Sequence, residues 1–169
     1  MTVTVASLVR RGWHRGVDRS RLQGGSVAAR SRDYRGPVPQ DLSPEELAFL
    51  QATFDHVRNG DRNRLLEHLD AGVPVNLTNS AGDSLLVLAA YHRHADLVRT
   101  LLDRGADHAR VNDKGQTALA AAVFRRHEGI VTDLLGAGAD PDLGPRSAVA
   151  IATFFDLPDM LHLLRSWTR

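Results

Sequence analysis

The chain contains no cysteine. That removes disulfides, zinc–thiolate sites and thiol nucleophiles together, and favours a reducing compartment only mildly. Aromatic residues make up just 5% of the sequence against 43% hydrophobic residues overall. Large α/β cores and sandwiches carry more aromatic bulk, whereas packing of alanine- and leucine-rich helices needs less, so composition leans to an all-α fold. No apolar run approaches the roughly 20 residues of a membrane-spanning helix, and the N-terminus lacks the continuous apolar core of a secretory signal. The expectation is a cytoplasmic, monomeric protein without a membrane partner. Lysine is nearly missing too: Lys114 is the single one among 21 basic residues, which reads as GC-rich coding.

Also lacking are the motifs of catalysis. There is no Gly-x-Gly-x-x-Gly, phosphate loop, His-Glu-x-x-His or nucleophile elbow, so no catalytic residue, cofactor or enzyme activity is expected. His92 and His94 lie two apart, with His127 in step, but a metal site wants three or four convergent ligands with outer-shell support, and no metal is expected.

The net charge of +1 hides an asymmetry. Residues 1–36 hold eight arginines against Asp18 and Asp33; the remainder holds thirteen basic and eighteen acidic side chains, a net of −5. Residues 1–40 show no period and have the Gly, Ser, Arg and Pro content of a disordered tail. Plain disorder, or a start codon at Val17, Val27 or Val38, ranks first for this segment; phosphate contact by its arginines ranks second, and organelle targeting third.

What the chain does have is a period. Gly72, Gly105 and Gly138 are spaced by 33, as are Gly82 and Gly115. Leu69, Leu102 and Leu135 keep the same register, as do Leu65, Val98 and Val131, Leu86 and Leu119, and His94 and His127. Within a unit, Leu85, Leu86, Ala89 and Ala90 return at helical spacing over 84–91, and Leu97, Val98, Leu101 and Leu102 over 96–103. Neither helix is long enough to stand alone in water, so hairpin must stack on hairpin to bury these faces. Gly105 and Gly138 follow the last apolar pair of a helix, where a left-handed residue ends it; Gly82 and Gly115 fall in the turn before the next helix. Ser43-Pro44-Glu45-Glu46 is a capping box that predicts a helix start, and Pro158 suits the first turn of the last helix.

The run Asn79-Ser-Ala-Gly-Asp-Ser-Leu-Leu-Val-Leu-Ala-Ala90, followed by Arg93-His94 and Val98-Arg-Thr-Leu-Leu-Asp-Arg-Gly-Ala-Asp107, resembles the ankyrin repeat. So does Asn112-Asp-Lys-Gly-Gln-Thr-Ala-Leu-Ala-Ala-Ala-Val123, followed by Arg126-His127 and Val131-Thr-Asp-Leu-Leu-Gly-Ala-Gly-Ala-Asp140. The segment Asn59 to Gly72 looks like an opening repeat. The likeness covers about residues 43–166 and implies an all-α solenoid of stacked helix-turn-helix units. We read the folded domain as 41–169, with repeats at about 43–78, 79–111, 112–144 and 145–169, the last one shortened. Where the family has Thr-Pro-Leu-His, this chain has Ser84-Leu-Leu-Val87 and Thr117-Ala-Leu-Ala120, so polar ties between repeats should weaken. His94 and His127 occupy the slot of a histidine that joins the two helices of a unit, and Asp107 and Asp140 that of turn hydrogen bonds.

The resemblance further implies a non-catalytic module that binds a protein partner through its concave groove and hairpin tips. By register the groove would be lined by Arg58 with Asn59, Tyr91 with His92, Phe124 with Arg125, and Phe154 with Phe155. Four of the seven Phe and Tyr residues fall in that column, and such side chains anchor interfaces. The rings either anchor a partner or merely pad the groove wall or the shortened terminal unit, and for Phe155 the padding reading is favoured. The tips would present Ser80, Ala81 and Asp83, then Asp113, Lys114 and Gln116, either as partner contacts or as solvated turns. The alternative, a nucleic-acid-associated protein using the arginine tail, would show binding that falls steeply with salt.

Overall fold

A computed structural model describes residues 42–167. The basic tail and Arg169 lie outside the described residues. Eight helices and no strand occur among those residues: α1 (Pro44–Asn59), α2 (Arg62–Asp70), α3 (Leu85–Tyr91), α4 (Ala95–Asp103), α5 (Ala118–Phe124), α6 (Glu128–Gly136), α7 (Ala148–Phe154) and α8 (Pro158–Ser166). They form four antiparallel hairpins, α1/α2 through α7/α8, stacked in chain order.

Six of the eight helices start where a side chain takes up a free backbone N–H; α4 and α8, which follow His94 and Leu157, do not. The Ser43 hydroxyl accepts from Glu46 N at 3.2 Å while Glu46 Oε2 accepts from Ser43 N at 2.9 Å, completing the capping box. Ser84, Thr117 and Ser147 cap α3, α5 and α7 in the same way, at 3.1–3.2 Å. The first helices α1, α3, α5 and α7 stack side by side as the tighter row, and α4 lies on α6 in the second row. Alanines explain the closeness of the first row: Ala89, Ala90, Ala120, Ala121, Ala122 and Ala152 are all buried, and small side chains let the helix axes approach. Leu65, Leu97, Leu101, Ile130 and Leu134 from the second row close the core at 0–1% exposure.

The turn that ends each first helix recurs four times. In the second hairpin Arg93 N donates to Ala90 O and His94 N to Ala89 O, at 3.1 and 3.0 Å. Arg126 and His127 repeat this with Val123 and Ala122, and Asp156 and Leu157 with Thr153 and Ala152. Closing a helix this way places the first residue of each pair in the left-handed region, which favours glycine. Gly60 has φ 76° there, but the later units carry Arg93 (φ 67°), Arg126 (φ 54°) and Asp156 (φ 49°). Aspartate tolerates that conformation and arginine does not share the reason.

The first helix is longer than its counterparts, sixteen residues against seven. Its extra N-terminal turns carry Leu50, which is fully buried, and half-buried Phe49, which cover the end of the stack that has no preceding hairpin.

The predicted loss of polar ties takes a different form. The positions of the missing histidines are Val87 and Ala120, both buried and apolar, while the hairpins are joined elsewhere. Asn76 Oδ1 accepts from Asp107 N at 2.8 Å, Arg104 pairs with Asp70 at 2.7 Å, and Arg99 pairs with Asp133 at 2.9 Å. The two histidines of the shared slot also diverge, which corrects the single joining role implied for both. His94 Nε2 lies 2.8 Å from the Arg58 carbonyl and therefore donates to it, tying the second hairpin to the first. His127 Nδ1 instead accepts from Ile130 N at 3.2 Å and caps its own helix. Asp107 and Asp140 do make the turn bonds expected of them, accepting from Ala109 N and Asp142 N.

Candidate functional site

The ends of the first helices bring a series of rings into contact along one face. Tyr91 and Phe124, 33 residues apart, lie parallel with centroids 6.1 Å apart. Phe124 meets Phe155 edge-on at 5.4 Å, and Phe155 meets Phe154 edge-on at 5.0 Å. At the other end His92 packs on Tyr91 at 5.4 Å and stacks on His94 at 6.2 Å. The Arg125 guanidinium sits 5.2 Å from the Tyr91 ring centre, a cation–π distance. Burial of the His92 ring lowers its pKa, and the nearby charges of His94, Arg58 and Arg125 lower it further.

These rings stay accessible because stacking buries the flanks of the first helices and leaves their ends free. Tyr91 is 41% exposed, Phe124 38%, Phe155 43% and Phe154 82%. Phe154 also walls an open recess of about 380 Å³ with Pro145, Arg146, Ala150 and Ile151, on the C-terminal side of the stack. Phe155, read as padding, is the ring that links Phe124 to Phe154.

Arg58 makes no ring contact among the described residues; its guanidinium pairs with Asp55 at 2.7 Å. The tips are more ordered than solvated turns need be. Asn79 Oδ1 accepts from Ala81 N and Asp83 N, and Asn112 Oδ1 from Lys114 N and Gln116 N, all at 2.9–3.0 Å. Asn112 Nδ2 then donates to Asp83 Oδ1 at 2.7 Å, Asp113 N to Ala81 O at 3.2 Å, and Arg146 N to Gly115 O at 3.0 Å, so three successive tips are joined. Both Asp83 carboxylate oxygens are engaged, the second by Asn79 Nδ2 at 3.3 Å. Gln116 is half-buried, whereas the Lys114 side chain is exposed without a bonding partner among the described residues.

No group of three or more metal-ligating side chains occurs among the described residues, and no helix there is long and apolar enough to cross a membrane.

Comparison with known proteins gives the architecture a family. A Pseudomonas aeruginosa ankyrin repeat protein is 49% identical over 63 residues, 37% of this chain and 36% of that protein. An Arabidopsis thaliana protein, acyl-CoA-binding domain-containing protein 2, is 30% identical over 96 residues, 54% of this chain and 27% of its own length. The chain thus spans about a third of the length of the curated relatives it matches. The family model described as ankyrin repeats, three copies, matches residues 54–144, more than half of the chain and the span of its first three hairpins from the end of α1 to the loop after α6. The chain belongs to the ankyrin-repeat family.

Proposed function

We propose that the chain is a non-catalytic module that binds a protein partner across the concave face along Tyr91, Phe124 and Phe154, with the hairpin tips at the rim. Ankyrin repeats generally mediate protein–protein interaction. The observation that carries the reading here is the continuous series of four half- to mostly-exposed rings, contributed by three different hairpins. Contiguous exposed apolar surface is uncommon on a protein with no use for it, and Tyr, Phe and Arg anchors carry much of the energy of interfaces. The joined tips support the same reading, because a rim held by Asn112 and Asp83 has little ordering left to lose when a partner binds.

The test is capture of a partner from native lysate by the full chain, compared with Tyr91→Ala/Phe124→Ala/Phe154→Ala. Because these rings are exposed, the variant should keep its helical signal. Hot-spot losses of about 2 kcal/mol each, roughly thirtyfold, would abolish capture when combined. Equal capture by both proteins would make the ring series padding and remove the groove from the account.

A further inference from the structure

The partner segment that enters this groove should be acidic. The central turns, residues 91–94 and 124–127, contain Arg93, Arg125 and Arg126 with three histidines and no acidic residue. Arg125 lies on Tyr91, while Arg93 and Arg126 are exposed and make no side-chain hydrogen bond or ion pair among the described residues. Four arginines elsewhere in the stack, Arg58, Arg64, Arg99 and Arg104, each pair with a carboxylate, and Arg62 donates to Thr100; Arg146 and Arg165 are exposed and, like Arg93 and Arg126, make no side-chain bond among the described residues.

Arg93 and Arg126 also occupy a backbone conformation that works against them. Both are left-handed, in the slot where the first turn uses Gly60. A strained conformation held by a residue that gains nothing locally from it points to a use for the side chain. What glycine could not supply is an extended cationic side chain with several N–H donors. The flanking rings provide apolar contact, so the strip matches a chain carrying carboxylates and apolar side chains together.

Charge selects among the possible occupants. The chain's own N-terminal segment carries eight arginines against two acids over residues 1–36 and would be repelled. Residues 37–169 carry a net charge of −5, which opposes a long polyanion while leaving a short acidic segment to meet the local strip. Base stacking needs a run of free ring faces. Here Tyr91 is already against Phe124, His92 and Arg125, and Phe124 is against Tyr91 and Phe155, leaving Phe154 as the ring with most surface free.

We infer that Arg93, Arg125 and Arg126, in the turns that directly follow the Tyr91 and Phe124 rings, recognise an acidic peptide segment of a protein partner. The inference rests on the groove reading above and specifies its ligand.

The experiment uses the full chain and fluorescein-labelled peptides built of Glu-Ser-Leu, Gln-Ser-Leu or Lys-Ser-Leu triplets, with an oligothymidylate of similar length, read by fluorescence anisotropy. The Glu peptide should bind at least tenfold more tightly than the Gln peptide at about 50 mM salt, with the advantage shrinking as salt rises. Arg93→Gly/Arg126→Gly should lose that advantage while melting no lower than the wild type, because glycine relieves the strained turns. Arg93→Lys/Arg126→Lys should keep most of it. Equal binding of the Glu and Gln peptides, no binding of the Glu peptide, or an unaffected glycine variant would overturn the inference. Tighter binding of the oligothymidylate would assign the strip to nucleic acid instead, and a dimer abolished by the glycine variant would assign it to a second copy. If the Gln peptide binds equally and is lost in the triple-alanine variant, the groove reading survives and the acidic ligand alone fails.

Discussion

The joined tips set the rim of the proposed groove, and a pair of glycine substitutions separates the backbone from the packing contribution at one of them. Gly105 and Gly115 have nearly equal left-handed conformations, φ 82° and 79°. A Cβ at Gly105 would meet nothing within 4 Å, whereas one at Gly115 would stand 2.5 Å from Pro145 Cγ and 3.2 Å from its Cδ. A left-handed L-residue costs about 1–2 kcal/mol, and the stiffer unfolded chain returns about 0.4–1 kcal/mol. Gly105→Ala should therefore lose only about 0.5–1 kcal/mol. Gly115→Ala adds an overpacking cost of about 1–3 kcal/mol and displaces the Arg146 N–Gly115 O bond at 3.0 Å, a further contribution of about 1 kcal/mol. Its loss should be about 2.5–5 kcal/mol. Urea unfolding followed by far-ultraviolet circular dichroism reads both, provided the slopes with denaturant agree. Equal losses in the two variants, or a larger loss at Gly105, would refute the claim that tip-to-tip packing fixes this loop.

Three further outcomes follow from the same geometry. His68 is buried, stacked on Phe49 at 4.1 Å and 2.7 Å from the Thr53 hydroxyl, and its pKa is lowered first by burial and then by His56. The unfolded chain thus takes up a proton near the ordinary value of 6.5 before the folded one does. Stability should be fully present above that pH and fall as pH drops below it, with a flatter profile in His68→Gln; a profile unchanged by the substitution would contradict this. Asp83→Ala should cost about 1–2 kcal/mol by leaving the buried Asn112 amide without its acceptor, read as a lower urea midpoint, and an unchanged midpoint would count against the tie. Because carboxylates beside His92 would favour its protonated form, affinity for the Glu peptide should rise as pH falls below the ordinary histidine value of 6.5 towards the lowered range of His92, while the peptide's glutamates stay charged above about 4.3; anisotropy titrations that do not depend on pH over that window would place the peptide away from His92.

Much of the fold was legible because its signals are local. The period of 33, the Ser43 capping box, Pro158 at a helix start and the left-handed glycines are each written within a few residues, and each is found where it was read. The alignment of Tyr91 with Phe124 was legible for the same reason, since one slot repeats along the chain. What escaped were pairings that depend on the partner's identity across the stack. His94 and His127 share a slot, but His94 lies over Gly60, where an added Cβ would meet its ring at 2.8 Å, and reaches the Arg58 carbonyl, whereas His127 turns to its own helix. Asp83 reads as a tip residue until Asn112, 29 positions later, is found to hold it. The contact of Phe155 with Phe124 crosses from the fourth hairpin to the third and is not written in either segment alone. Arg93 and Arg126 stood in plain view in a glycine slot, and only the backbone angle shows what that placement costs.

The central claim is that a protein partner lies against the ring series, and site-specific photo-crosslinking in native cells tests it most directly. Benzoylphenylalanine at position 154 replaces a ring that is 82% exposed, and the same group at the exposed Asp103 on α4 serves as control. The account predicts a discrete crosslinked protein from position 154 and none from position 103. The same adduct from both positions, or from position 103 alone, would contradict it.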